Sequence, residues 1–167
     1  MAPREKCLPE MRRCGRMGIP EYAFRTGFAA RAHRQRRAAG FLPVPGRVSD
    51  LAAPYPAAVV GVAVDTFHVW CDPQLRDAIA RAGREDRIAS YQVCDFNLPI
   101  ASDALLSRGM MGDGVIDFAR ITGWVAGAGY RGDIEVEIFN REIWDAPSDQ
   151  LLETVKERYA SLVLPFA

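Results

Sequence analysis

Asp65 closes an apolar, valine-rich run, Ala57–Val64, and His68 follows it by three residues. A carboxylate at the end of a buried segment either binds a cation or caps the next turn. An imidazole beside it is either a ligand or a packed, hydrogen-bonded ring. Gln92, Cys94 and Asp95 end a second such stretch, and Glu135 and Glu137 alternate with Ile134, Val136 and Ile138 in a third. Residues at i and i+2 of a strand share a face. Two carboxylates on one desolvated face need a proton, an arginine or a metal ion, whereas on a wet edge they need nothing. Oxygen donors with one imidazole suit Mg2+ or Mn2+ better than a thiolate-bound zinc. Arg108 opens a loop to Gly114 that holds three glycines, tolerant of positive φ and close backbone approach. It lacks the lysine and the spacing of a nucleotide-binding loop, so only a following helix N-terminus speaks for an anion there.

The elements that must position these groups are legible from periodicity. Ala57–Val64 reads as a buried parallel strand, since it is continuously apolar rather than alternating. Asp72-Pro73 starts a helix whose face is Leu75, Ala78, Ile79 and Ala82, with Gly83 as its stop. Arg87–Cys94 reads as a second strand, Asp95–Gly114 as a long loop, and Ile116–Ala128 as a helix ending near Gly129. Asp133–Phe139 reads as a third strand, and Ser148 caps a last helix that buries Leu151, Val155, Tyr159 and Leu162. This β-α-β-α-β-α order predicts an α/β fold with a parallel sheet and crossover helices, whose chemistry gathers at the carboxyl ends of the strands. Cys94 is expected to be a buried strand thiol. Trp70, Phe96 and Trp144 either shape a pocket or pack.

Composition narrows the classes. The chain has 167 residues, 49% apolar and 25% charged, with 21 basic and 21 acidic residues. That is ordinary globular usage, not that of a disordered chain. No apolar run approaches the ~20 residues a bilayer crossing needs, so no membrane partner is expected. The four cysteines show no paired spacing, which points to a reducing cytoplasm rather than a disulfide scaffold. Zero net charge hides an asymmetry, because residues 1–55 carry eleven basic and four acidic side chains. Prolines at Pro3, Pro9, Pro20, Pro43 and Pro45 interrupt that segment, and only Ala23–Ala39 reads as a helix. No secretory leader is expected, and the segment is read as an irregular extension more readily than as a transit peptide or a nucleic-acid arm.

Four stretches taken together carry more than any one alone: VGVAVDTFHVWCDP (60–73), YQVCDFNLP (91–99), RGMMGDGVIDF (108–118) and GYRGDIEVEIFNREIW (129–144). In order, spacing and context they resemble the C-terminal part of the sugar phosphate isomerase/epimerase family, the xylose isomerase-like TIM barrels. The resemblance implies the last three βα units of a (β/α)8 barrel over residues 56–167, with 1–55 as a separate basic segment. A complete barrel takes about 250 residues.

The resemblance also implies a divalent metal, Mn2+ or Mg2+, with Asp65, Gln92 and Glu137 as ligands. It implies His68 and Arg108 as substrate-binding residues and Glu137 as the catalytic base as well. The implied reaction is isomerisation or epimerisation of a small sugar or sugar phosphate, by proton transfer next to a carbonyl through an enediolate. A fourth ligand, a glutamate on the preceding strand, has no counterpart upstream of Val60. The chain is therefore read as a truncated or frame-disrupted, impaired member. The alternatives are a non-catalytic remnant or interaction module, completed by a partner or by a second copy, and, less favoured, a nucleic-acid-binding protein. The His-rich zinc cluster of the apurinic endonuclease branch is excluded, since His33 and His68 are the only two histidines.

Overall fold

The computed structural model describes the backbone of residues 28–31 and 39–42 and all of 45–167, with side chains from Val48 onward. Its centre is a five-stranded sheet in the order β2-β1-β3-β4-β7. The strands are β1 (Phe28–Arg31), β2 (Ala39–Leu42), β3 (Gly61–Asp65), β4 (Ile88–Val93) and β7 (Ile134–Val136). β3, β4 and β7 run parallel, with Asp65 opposite Gln92 and Gln92 opposite Glu135. The three-stranded parallel core of the sequence reading is therefore present, and it makes the chain a partial α/β barrel.

Alternation sorts the side chains of these strands. Val62, Val64, Tyr91 and Val93 point into the apolar core, and Ile134 and Val136 pack against it. Asp65, Gln92, Glu135 and Glu137 therefore belong to the opposite face, the inner face of a barrel wall. Helices α1 (Pro45–Ala52), α3 (Leu75–Arg84) and α4 (Phe118–Gly127) cover the apolar face. α6 (Ser148–Leu162) lays Val155, Tyr159 and Leu162 against the same core. Ile79 of α3 is fully buried. Ile79→Ala is expected to cost about 2–5 kcal/mol in urea unfolding, through lost transfer energy and a residual cavity.

Several expectations about the elements need correction. The apolar run does not start as strand at Ala57. Its first half turns, with the Val59 and Val60 amides donating to the Pro56 carbonyl, and only Gly61–Asp65 enters the sheet. Gly83 is not a helix stop. α3 continues to Arg84 and the chain reverses at Asp86, whose φ is +52°. Glycine is needed at 83 because any Cβ would run into Ala128 just beyond α4. Asp72 accepts from the Gln74 amide, one turn ahead of α3, and Ser148 is the first residue of α6 rather than its cap. The Asp95–Gly114 loop contains an antiparallel pair, β5 (Asp95–Phe96) with β6 (Arg108–Gly109).

In the basic segment, the helix expected over Ala23–Ala39 is replaced, where the structure describes it, by β1, which adds antiparallel to the edge of β3. α1 also belongs to that segment, yet it buries Val48 and Ala52. The remaining readings there lie outside the described residues.

Candidate functional site

Asp65, His68, Arg108 and Glu137 meet at the carboxyl end of the parallel strands. Asp65 ends β3, and its Oδ1 accepts the Phe67 amide at 2.9 Å, so it caps the short α2 (Thr66–Val69). The capping reading is therefore correct, but it leaves the rest of the carboxylate for a cation. That cation is Arg108, with Nη2 at 2.9 Å from Asp65 Oδ2 and Nη1 at 3.4 Å from Oδ1. Nη1 also reaches Glu137, at 3.2 Å to Oε2 and 3.1 Å to the backbone oxygen. Phe67 and Phe139 flank the guanidinium, with ring centres 4.6 and 4.9 Å from its Cζ, and cation–π attraction adds to the charge pairing.

Burial makes these charges matter. Arg108 is 2% exposed and Asp65 is 7% exposed. Burial pushes the Asp65 carboxyl up, and the charge and hydrogen bonds of Arg108 pull it back. Burial works against the guanidinium, but the charges of Asp65 and Glu137 outweigh it and hold Arg108 above its ordinary value. The paired contacts at both Asp65 oxygens decide for an ionised pair.

His68 Nε2 stands 3.3 Å from Arg108 Nη2 and 3.5 Å from Asp65 Oδ2. Arginine only donates, so a hydrogen bond here makes Nε2 the acceptor and places the ring proton on Nδ1. Burial, and then the charge of Arg108, push the imidazole down to about 4. The unfolded chain therefore binds a proton here that the folded chain refuses. Stability from this group is present above 6.5 and is lost as pH falls toward about 4, a loss of about 3 kcal/mol. Urea midpoints at pH 7.5 and 4.5 check this, and His68→Asn is expected to flatten the difference.

Gln92 is not part of this cluster. Its Nε2 donates to Glu135 Oε2 at 2.8 Å, across the register of β4 and β7. Cys94 is buried as expected, and burial pushes its thiol up to about 12, so it is no nucleophile. Trp70 and Phe96 pack ring on ring at 5.3 Å. Trp144 is half exposed, edge-on to Phe139.

The residues do not fit a divalent ion as they stand. Among the described residues no group of three His, Cys, Asp or Glu side chains is arranged to hold one. Asp65 and Glu137 are both spent on a fixed guanidinium, and a second cation beside it would be repelled. Gln92 faces Glu135 instead. The fourth carboxylate would sit on the strand beside β3, and that strand here is β1, with the sequence FAAR.

Sequence reasoning missed four residues that build the site. Thr66 Oγ1 bonds both the Cys94 oxygen at 2.8 Å and the Cys94 amide at 3.0 Å, joining the ends of β3 and β4. Asn140 Nδ2 donates to the Arg108 oxygen at 2.9 Å. Phe67 and Phe139 flank the guanidinium. All four lie inside the matching stretches, but nothing in their spacing links them to Arg108. In the glycine loop the Gly112 amide is taken by Asp95, as is that of Ile116 beyond it, and Asp117 caps α4.

The profile of the xylose isomerase-like TIM barrel family matches residues 47–158. Among solved structures, protein SMc04130 from Sinorhizobium meliloti 1021 is 42% identical with a TM-score of 0.67, over 71% of this chain and 43% of that one. The IolI protein, solved with a binding zinc atom, is 19% identical with a TM-score of 0.54, over 64% of this chain and 38% of that one. The chain thus spans less than half the length of either solved relative. No curated protein matches it.

Proposed function

From the chain's membership of the xylose isomerase-like TIM barrel family, we infer that it carries the C-terminal part of a sugar or sugar phosphate isomerase/epimerase site. The reaction is proton transfer next to a carbonyl. The observation that carries this reading is the Asp65–Arg108–Glu137 cluster at the carboxyl end of the parallel strands. Glu137 is the group a substrate can reach, its side chain being 36% exposed while Arg108 behind it is 2% exposed. Glu137 takes the proton from the carbon beside the carbonyl and returns it at another carbon or face. Arg108 supplies the positive charge toward which the enediolate oxygen develops. His68, neutral with its Nε2 accepting from Arg108, orients the guanidinium.

Among the described residues the Mn2+ or Mg2+ expected from resemblance has no complete donor set, so the proposed transfer runs on side chains. The IolI protein was solved with a binding zinc atom, which supports metal use within this fold. A small-molecule sugar partner and a cytoplasmic setting belong to the same proposal. Among the described residues no helix is long and apolar enough to cross a membrane.

A second reading, a remnant without catalysis, is favoured by β1 standing where a barrel strand would pair. One experiment separates the two. Incubate the chain with ketoses, aldoses and their phosphates in D2O and follow the C–H beside the carbonyl by proton NMR. Exchange above the buffer rate supports the isomerase reading, and none across the panel leaves the remnant.

A further inference from the structure

Asp95 lies at the head of the glycine loop and is 1% exposed. Its carboxylate gathers three backbone amides. Oδ1 accepts from Phe96 at 2.8 Å and from Ile116 at 2.9 Å, and Oδ2 accepts from Gly112 at 2.9 Å. The same residue pairs with Gly109 across the β5–β6 ladder, which sets Phe96 opposite Arg108. The chain leaves Arg108, passes Gly112 at φ +94°, and returns under Asp95 at Gly114, where a Cβ would strike Phe96 and the Asp95 carboxylate.

We propose that Asp95 is the positioning residue of this site. By closing the 109–116 loop onto β5, it fixes where the Arg108 guanidinium stands between Asp65 and Glu137. The chemistry of the donor set requires a carboxylate. An ionised carboxyl only accepts, on two oxygens, and charge-assisted bonds from backbone amides are the strong kind. An asparagine would turn an NH2 toward at least one of the three amides, leaving a buried donor unmatched. The catalytic meaning of this role rests on the proposed function, but its structural content does not.

The test reads Arg108 directly, by NMR of the arginine Nε–H signals in the full chain. In the wild type, the rings of Phe67 and Phe139 displace the Arg108 signal from those of exposed arginines. Arg108→Lys assigns it by removing it. In Asp95→Asn the signal is expected to collapse onto the exposed set while the thermal transition stays cooperative. A purely structural role would lower the transition temperature and leave the signal where it was, and that result overturns the proposal. Should Asp95→Asn fail to fold, Gly114→Ala keeps the carboxylate but pushes it off its amides. The same collapse is expected, and an unmoved signal again overturns the proposal. No substrate enters this readout, so a chain inactive in D2O would leave the inference standing. An unmoved signal would sink it without touching the proposed function.

Discussion

Arg108→Met lowers the stability of the chain by about 3–5 kcal/mol at pH 7.5, the cost of stranding a buried charge. The pair is deeply buried, with Arg108 2% and Asp65 7% exposed, so solvent does little to screen the loss. Glu137 adds little to the penalty, because its side chain is 36% exposed and can turn to water. The variant also has a pH signature. Without the guanidinium, burial outweighs the remaining Phe67 hydrogen bond and holds the folded value of Asp65 above the ordinary 3.8. A raised carboxyl contributes stability when protonated and loses it as pH rises through the folded value. The deficit of Arg108→Met therefore shrinks as pH falls from 7.5 toward 4. Adding Asp65→Asn recovers most of it at neutral pH, since the amide oxygen still caps α2. Urea unfolding of the four proteins reads the cycle. A cost below about 1 kcal/mol would place the pair among surface bridges rather than at the centre of the site.

Glu137→Gln is the second large effect and falls on chemistry rather than stability. The amide keeps the length of the side chain and can still accept from Arg108, while the backbone contact of Glu137 to Arg108 Nη1 at 3.1 Å is untouched. Unfolding is expected to move by less than about 1 kcal/mol, as for an exposed ion pair. Deuterium uptake beside the carbonyl of whichever sugar the wild type exchanges is expected to fall by about 10²–10⁴, the usual contribution of a positioned base. Uptake equal to the wild type would move the base elsewhere, with Glu135 on the same strand face as the next candidate.

The fold was legible where its causes are local. Leu75, Ala78, Ile79 and Ala82 line the buried face of α3 as their spacing predicts, and Gly129 takes a positive φ after α4. The strand run was read too long because Pro56 turns the chain before Gly61, and hydrophobicity alone does not distinguish a turn from a strand. Gly83 was misread because its reason is a neighbour, Ala128, distant in sequence. The site was half legible. Asp65, His68 and Glu137 were singled out by type and place and Arg108 by resemblance, and the structure gathers the four. Gln92 was grouped with them by resemblance and is instead turned to Glu135.

By itself the sequence determined three parallel strands, the helices between them and the strand ends on which polar groups stand. Periodicity, caps and turn residues act within a few positions, so they are written in the order of the letters. Only the tertiary structure decided what neutralises Asp65, which amides Asp95 holds and what pairs with the edge of β3. Asp65 and Arg108 are 43 residues apart, and Asp95 and Ile116 are 21 apart. Contacts at that range depend on how whole elements cross. A carboxylate meant for a metal and one meant for an arginine look the same until the guanidinium beside it is placed.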